Sequence, residues 1–339
     1  MIATPPLVAH PQQFIDSFGR HIEDMRVSVI DKCNFRCTYC MPAEGLPWLR
    51  KSEVLTFDEI ERIVRISVER GVREIRLTGG EPTVRAGLPE LIERLLRVPG
   101  LESVSLTTNG FLLKGLARDL ANAGLTRINV SLDTLVKEKF EHVTRRNHLA
   151  EVLEGLEELE KYPTISPIKV NAVAIRGFTD DEVLDFARLA RRKPYVVRFI
   201  EFMPLDADES WSPDKILTGQ ELYEMIHAVY PLVPRSTDPS STSRVYRFAD
   251  GRGEVGFINP VSEPFCSTCN RIRVTADGQL RTCLFSRWET DLRGPIRNGA
   301  TDDEIGALML GAVQRKEMKH RISDPGFVRA NRSMSQIGG

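Results

Sequence analysis

Six cysteines carry the chemistry of this chain, and they fall into two trios, Cys33, Cys37 and Cys40 near the start and Cys266, Cys269 and Cys283 near the end. Thiolates only a few residues apart can converge on one metal centre. The first residues, MIATPPLVAHPQQF, have no basic stretch and no long apolar core, so no export leader is expected, and in a large chain a reducing compartment favours that use over a disulfide framework. Each trio leaves one coordination position without a protein ligand: the nearest histidine to the first trio is His21. A structural zinc ion normally takes a fourth ligand close by. A [4Fe–4S] cube accepts three thiolates and keeps its fourth iron open for an exogenous chelate. Both readings, a zinc site short of one ligand and an open cluster, stand for each trio at this point.

The segment CNFRCTYCMP, with an aromatic residue before its last cysteine, resembles the signature of the radical S-adenosylmethionine (SAM) superfamily, and LTGGEPTVR resembles that superfamily's glycine element at Gly79, Gly80, Glu81 and Pro82. Over nearly its whole length the chain is similar to the GTP 3′,8-cyclase family of molybdenum-cofactor biosynthesis. The ordered matches are DMRVSVIDKCNFRCTYCMP, IRLTGGEPTVR, TTNG, NVSLDT, KVNAV, FIEFMPL, FCSTCNRIRVTADGQLRTCLF and a terminal Gly-Gly. The resemblance implies a radical SAM lyase with two [4Fe–4S] clusters, one on each trio, and SAM on the open iron of the first. It implies GTP on the open iron of the second, abstraction of the ribose 3′ hydrogen by a 5′-deoxyadenosyl radical, and closure of the 3′ carbon onto C8 of guanine. By motif it assigns Tyr39, Gly80, Ser131 and Met203 to SAM, and Arg26, Arg76, Thr107, Lys169, Arg271, Ile272 and Arg273 to GTP. It assigns a catalytic role to Arg271, Arg273 and the tail residues Gly338 and Gly339. The partners it implies are GTP, cyclic pyranopterin monophosphate synthase downstream and an electron donor, with a homodimer left open.

The elements that must position these residues read as a parallel α/β architecture. Candidate strands run from Arg26 to Asp31, Glu74 to Thr78, Ser103 to Thr108, Arg127 to Asp133, Ile168 to Val173 and Val196 to Met203. Helix-like stretches lie between them. In TFDEIERIVRISVERG the residues Phe57, Ile60, Ile63, Val64 and Ser67 recur at helical spacing and Gly71 ends the run. Strands buried on both faces are usually apolar throughout, yet these alternate. Arg26 and Ser28, Arg76 and Thr78, Ser103, Ser105 and Thr107, Asn129 and Ser131, and Lys169 and Asn171 each share a parity opposite to Val, Ile and Leu. A polar inner face and an apolar outer one describe an incomplete, open barrel around a polar ligand, and the resemblance implies that it is a (βα)6 barrel of the radical SAM type.

Residues 1–205 form the expected partial barrel with an N-terminal extension. Residues 206–339 form the C-terminal region with the second cluster, the GTP contacts and the Gly-Gly tail. There RIRVTADGQLRTC reads as a hairpin turning at Asp277-Gly278, PRSTDPSSTSR as a loop, and Asp302 to Gln314 as a helix.

With 46 basic and 47 acidic residues spread along the chain, a general nucleic-acid or membrane-surface binder is disfavoured. No apolar run approaches the roughly 18 residues that span a bilayer. A cytoplasmic enzyme is expected. A radical SAM enzyme with an auxiliary cluster acting on another substrate, and a zinc-stabilised binding protein, are the competing readings.

Overall fold

The computed structural model describes residues 12–206, 210–322, 324–330 and 332–338. Gly339 and the first eleven residues therefore lie outside it. Six strands alternate with helices through the first part of the chain: β1 (Asp24–Ser28), β2 (Glu74–Thr78), β3 (Ser103–Thr108), β4 (Arg127–Ser131), β5 (Ile168–Ala174) and β6 (Tyr195–Glu201). Each pairs in parallel with the next. The later strands are β7 (Leu232–Pro234), β8 (Arg244–Phe248), β9 (Glu254–Ile258), β10 (Arg271–Val274), β11 (Gln279–Arg281) and β12 (Thr290–Asp291). They join the same sheet, in the order β12-β11-β10-β1-β2-β3-β4-β5-β6-β9-β8-β7. The sheet stays open, as the alternating strands implied.

The residues after Met203, expected as an irregular unit of their own, instead extend the barrel wall at both ends. β10 lies parallel to β1, and β9 lies parallel to β6. The hairpin forms at its expected place, with Gly278 at φ +79° where a left-handed residue closes the turn.

Strand ends differ from the sequence reading. β1 begins two residues before Arg26 and stops at Ser28, because Asp31 has left the sheet to accept the Leu49 N–H at 2.6 Å. β6 stops at Glu201, short of Met203. The Glu201 carboxylate, almost fully buried, accepts the main-chain N–H groups of Gly219, Val261 and Ser262, which turns the chain away from the ladder.

The helix Phe57–Val68 starts on a Thr56–Glu59 capping box and buries Ile60, Ile63, Val64 and Ser67. Asp302–Gln314 is a helix with the expected limits, opened by a Thr301–Glu304 box. The Val, Ile and Leu parity of the strands packs with these helices into one core, including Met25, Ile75, Leu106, Val130, Val170 and Ile272. The opposite parity faces the lumen.

Candidate active site

In-register pairing places polar residues of neighbouring strands side by side on the inner face. Arg273, Arg26, Arg76 and Ser105 form one row across β10, β1, β2 and β3. Thr107, Asn129 and Lys169 form another, and Ser131, Asn171 and Arg198 a third. Arg271 lies beside Asp24. Three guanidinium groups on adjacent strands, about 4.8 Å apart in the hydrogen-bonding direction, repel one another unless an anion lies among them.

The electrostatics have the character of a site lacking its counter-ion. Burial holds Arg26 well below the ordinary arginine range, and the charges of Arg273, Arg76 and Arg271 add to the effect against the opposing pull of Asp24. Burial, followed by Arg198, Arg76 and Arg127, brings Lys169 down to about 8. Arg198 falls to about 9 through burial and Arg76. Arg273 falls to about 10 chiefly through burial, with Arg271 adding to it against the pull of Cys283, Asp24 and Cys269. The buried Nε atoms of Arg26 and Arg76, Nη2 of Arg271 and Oγ1 of Thr78 have no hydrogen-bond partner among the described residues. Buried donors are normally paired. Three of these are guanidinium donors on one face, which suits an anionic ligand.

Arg198 escaped the sequence reading. Its Nε donates to Asn171 Oδ1 at 2.9 Å and its Nη2 to Asn129 Oδ1 at 2.5 Å, while Asn129 Nδ2 donates to Thr107 Oγ1 at 3.3 Å. The signal was available, since Arg198 interrupts the apolar run VVRFI on the lumen parity. Ile272 sits on the other parity and is fully buried in the core. Only its main chain can border the lumen.

The first trio lies in the loop after β1. Burial raises Cys33 to about 11 and Cys40 to about 12, and Cys37 well above its ordinary value; Cys37 and Cys40 are raised further by neighbouring thiolates of the trio. Such thiols stay protonated at neutral pH unless a metal holds them as thiolates. The second trio differs. Burial opposes ionisation of Cys269, but the Arg271 and Lys316 charges overcome it and bring the thiol to about 6. All six cysteines are free and partly exposed.

Cys33 and Cys40 both act on Cys37, and Cys269 acts on Cys283, so thiols within each trio lie close together. An iron–sulfur cube takes its three cysteines on three different irons. The donor sets fit such a cluster.

The glycine element serves the first trio directly. Gly80 N–H donates to Ile30 O at 2.7 Å, and a Cβ on Gly80 would lie 2.3 Å from Lys32 O and 2.4 Å from Asp31 O. Close approach, expected toward a ligand, is thus made first to the main chain of the cysteine loop. Glu81 is buried and accepts from Thr83 N, Thr83 Oγ1, Thr108 Oγ1 and Asn109 N, tying this loop to the end of β3. Tyr39 donates its hydroxyl to Asp133 Oδ2 at 2.5 Å, and Asp133 Oδ1 accepts Val173 N–H at 2.8 Å. Burial raises Asp133 to about 6 against the pull of these bonds. Ser131 ends β4 on the lumen parity. Met203 packs in a small apolar cluster with Leu205, Phe285 and Ile337.

The tail enters the lumen. A short helix, Met334–Ile337, leads to Gly338 at φ +82°, whose carbonyl accepts a bond from Arg273 Nη1. A Cβ there would lie 2.7 Å from Thr78 Oγ1 and 3.1 Å from Ser28 Cβ. The opening of the sheet is spanned in the same region, where Arg271 Nη1 donates to Ser240 O, in the loop between β7 and β8, at 3.3 Å.

Comparison with known proteins agrees with this layout. Residues 27–190 match the family model of the Radical SAM superfamily, and residues 195–322 match that of Molybdenum Cofactor Synthesis C. The chain is 43% identical over 326 residues to the GTP 3′,8-cyclase of Syntrophomonas wolfei, covering 96% of this chain and 100% of that one. It is 44% identical to those of Moorella thermoacetica, over 96% and 99% of the two chains, and Streptomyces coelicolor, over 96% of each. Among solved structures, SuiB of Streptococcus suis bound to S-adenosylmethionine shares the fold with a TM-score of 0.59 at 12% identity, covering 84% of this chain and 67% of that one. The AdoMet-bound anSMEcpe enzyme gives 0.56 at 16% identity, covering 88% and 82%.

Proposed function

The chain belongs to the GTP 3′,8-cyclase family, and we propose that its lumen cations grip the triphosphate of GTP between the two cysteine trios. It is a radical SAM lyase that converts GTP to (8S)-3′,8-cyclo-7,8-dihydroguanosine 5′-triphosphate in molybdenum-cofactor biosynthesis. When bound, its two [4Fe–4S] clusters and S-adenosylmethionine supply the low-potential electron and the 5′-deoxyadenosyl radical that takes the ribose 3′ hydrogen.

The protein's own part is to hold and orient. Cys33, Cys37 and Cys40 hold one cluster, and Cys266, Cys269 and Cys283 the other. Arg26, Arg76 and Lys169 neutralise the triphosphate, for which forked guanidinium donors are suited, and Thr107 adds a hydroxyl at the edge of their rows. Arg271 and Arg273, with the main chain of Ile272, stand between the second trio and the nucleotide. Gly338 brings the tail against Arg273 and closes the lumen to water, and the catalytic role is shared with Gly339, which lies outside the described residues. Tyr39, Gly80, Ser131 and Met203 border SAM. In this reading the hydroxyl of Tyr39, fixed by Asp133, orients the ring.

The observation that carries the proposal is the row of Arg273, Arg26 and Arg76, in which Arg26 and Arg76 keep unsatisfied buried guanidinium nitrogens. Its neighbours in metabolism, on the same reading, are cyclic pyranopterin monophosphate synthase, which consumes the product, and a cytoplasmic electron donor; a homodimer fits as well. No helix among the described residues is long and apolar enough to cross a membrane. The test is anaerobic incubation of reconstituted protein with SAM, a strong reductant and either GTP or ATP. Formation of 5′-deoxyadenosine only with GTP is expected. Equal formation with ATP would refute the assignment.

A further inference from the structure

Four of the most exposed large apolar side chains gather on one groove. Trp288 is 82% exposed, Met318 64%, Val328 53% and Phe18 51%, and all four line a cavity of about 750 Å³ whose wall includes Cys283. Isolated exposed apolar residues are ordinary, but a contiguous patch marks an interaction surface. None of the lumen cations lines the groove.

The charge at its mouth is positive. Arg287, Lys319 and Arg321 exceed Glu317 and Asp324 on its wall by one charge; Glu317 accepts the Thr282 hydroxyl at 2.7 Å, and Asp324 lies 3.7 Å from Lys319. Arg287 and Arg321 also line the groove, and no acidic partner for either is found among the described residues. An apolar centre with two unpaired arginines and a net positive rim complements a protein with an apolar contact point ringed by carboxylates. A second copy of this chain is a poor occupant, since a two-fold contact would set the same arginines against one another.

We propose that this groove is the docking face for an acidic one-electron carrier protein that delivers its electron beside Cys283. The need for one follows from electron balance. SAM and GTP take up two electrons and one net proton to give methionine, 5′-deoxyadenosine and the cyclised dihydro product. One electron breaks the sulfur–carbon bond of SAM; the other, with the proton, reduces the cyclised nucleotide radical. The carrier supplies one electron per encounter and is itself oxidised. A transient contact of this kind needs only a small interface. The inference rests on Cys283 holding the second cluster, as proposed above.

The test uses reconstituted holoenzyme with SAM, GTP and a reduced acidic plant-type [2Fe–2S] ferredoxin as probe, against dithionite as the small reductant. The variants are Arg287→Glu/Arg321→Glu and Trp288→Ala, all at exposed positions. Ferredoxin binding, read by calorimetry, and ferredoxin-driven turnover are expected to weaken about tenfold or more, with a flatter dependence on ionic strength. Dithionite-driven turnover should stay at the wild-type level. Unchanged ferredoxin binding in both variants would overturn the docking face, as would a shift in oligomeric state that makes the patch a contact between copies. Failure of the wild-type enzyme to turn over GTP with dithionite would instead sink the reading on which the proposal rests.

Discussion

Replacing Arg26 by methionine should make the ligand-free protein more stable and its hold on GTP weaker. Arg26 sits between Arg273 and Arg76 at the same register. Charges about 5 Å apart at an effective dielectric of 20 interact by about 3 kcal/mol, so two repulsive neighbours outweigh the single attraction of Asp24. Side chains splay and water enters, which leaves a net penalty of about 1–2 kcal/mol. A base whose folded-state pKa is depressed carries that penalty in full below the depressed value and sheds it as pH rises from there to the ordinary one. Methionine keeps most of the volume and opens no large cavity. Thermal unfolding without GTP should therefore rise by about 2 °C.

The same substitution removes a charge-assisted contact worth about 1.5–3 kcal/mol to the bound triphosphate, or roughly 10- to 150-fold in dissociation constant. At saturating GTP the ligand-induced rise in Tm should shrink by a comparable free energy. Scanning calorimetry on anaerobic protein with and without GTP measures both changes. A variant that melts lower than the parent while keeping the full GTP-induced rise would show that Arg26 is a structural residue.

Lys169, brought to about 8, gives a pH signature. Bound triphosphate raises its pKa, so GTP affinity is flat below about pH 8 and weakens toward tenfold per unit above it; the Lys169→Met variant should bind weakly and lose that slope in fluorescence titrations. Gly338→Ala forces a side chain onto Thr78 and Ser28 at a positive φ, and turnover should drop at least tenfold while iron content is unchanged; normal turnover would place the tail elsewhere. Gly80→Ala presses on the Asp31 and Lys32 carbonyls, so iron analysis after reconstitution should find about half the parental iron, with the N-terminal cluster missing from the electron paramagnetic resonance spectrum.

The cysteine trios, the six-strand rhythm and the polar parity were legible in the sequence because each is local. A thiolate spacing, a two-residue alternation and a capping box are all set within about twenty residues. Local pattern also placed Arg26, Arg76 and Lys169 on the inner face. What it could not decide was which residues of distant strands stand abreast. The Arg273–Arg26–Arg76 row depends on β10 pairing with β1 across more than two hundred residues, and nothing in either segment specifies that partner.

The same limit hid the role of Gly80, whose close neighbour is the cysteine loop, and of Arg198, whose meaning comes from Asn129 and Asn171 on two other strands. It also made residues 206–339 look like a separate unit, although their strands complete the wall of the first. Residue types determined what chemistry this chain can perform. Long-range strand pairing, which pays its entropy cost only when the whole sheet forms, decided where the charges meet.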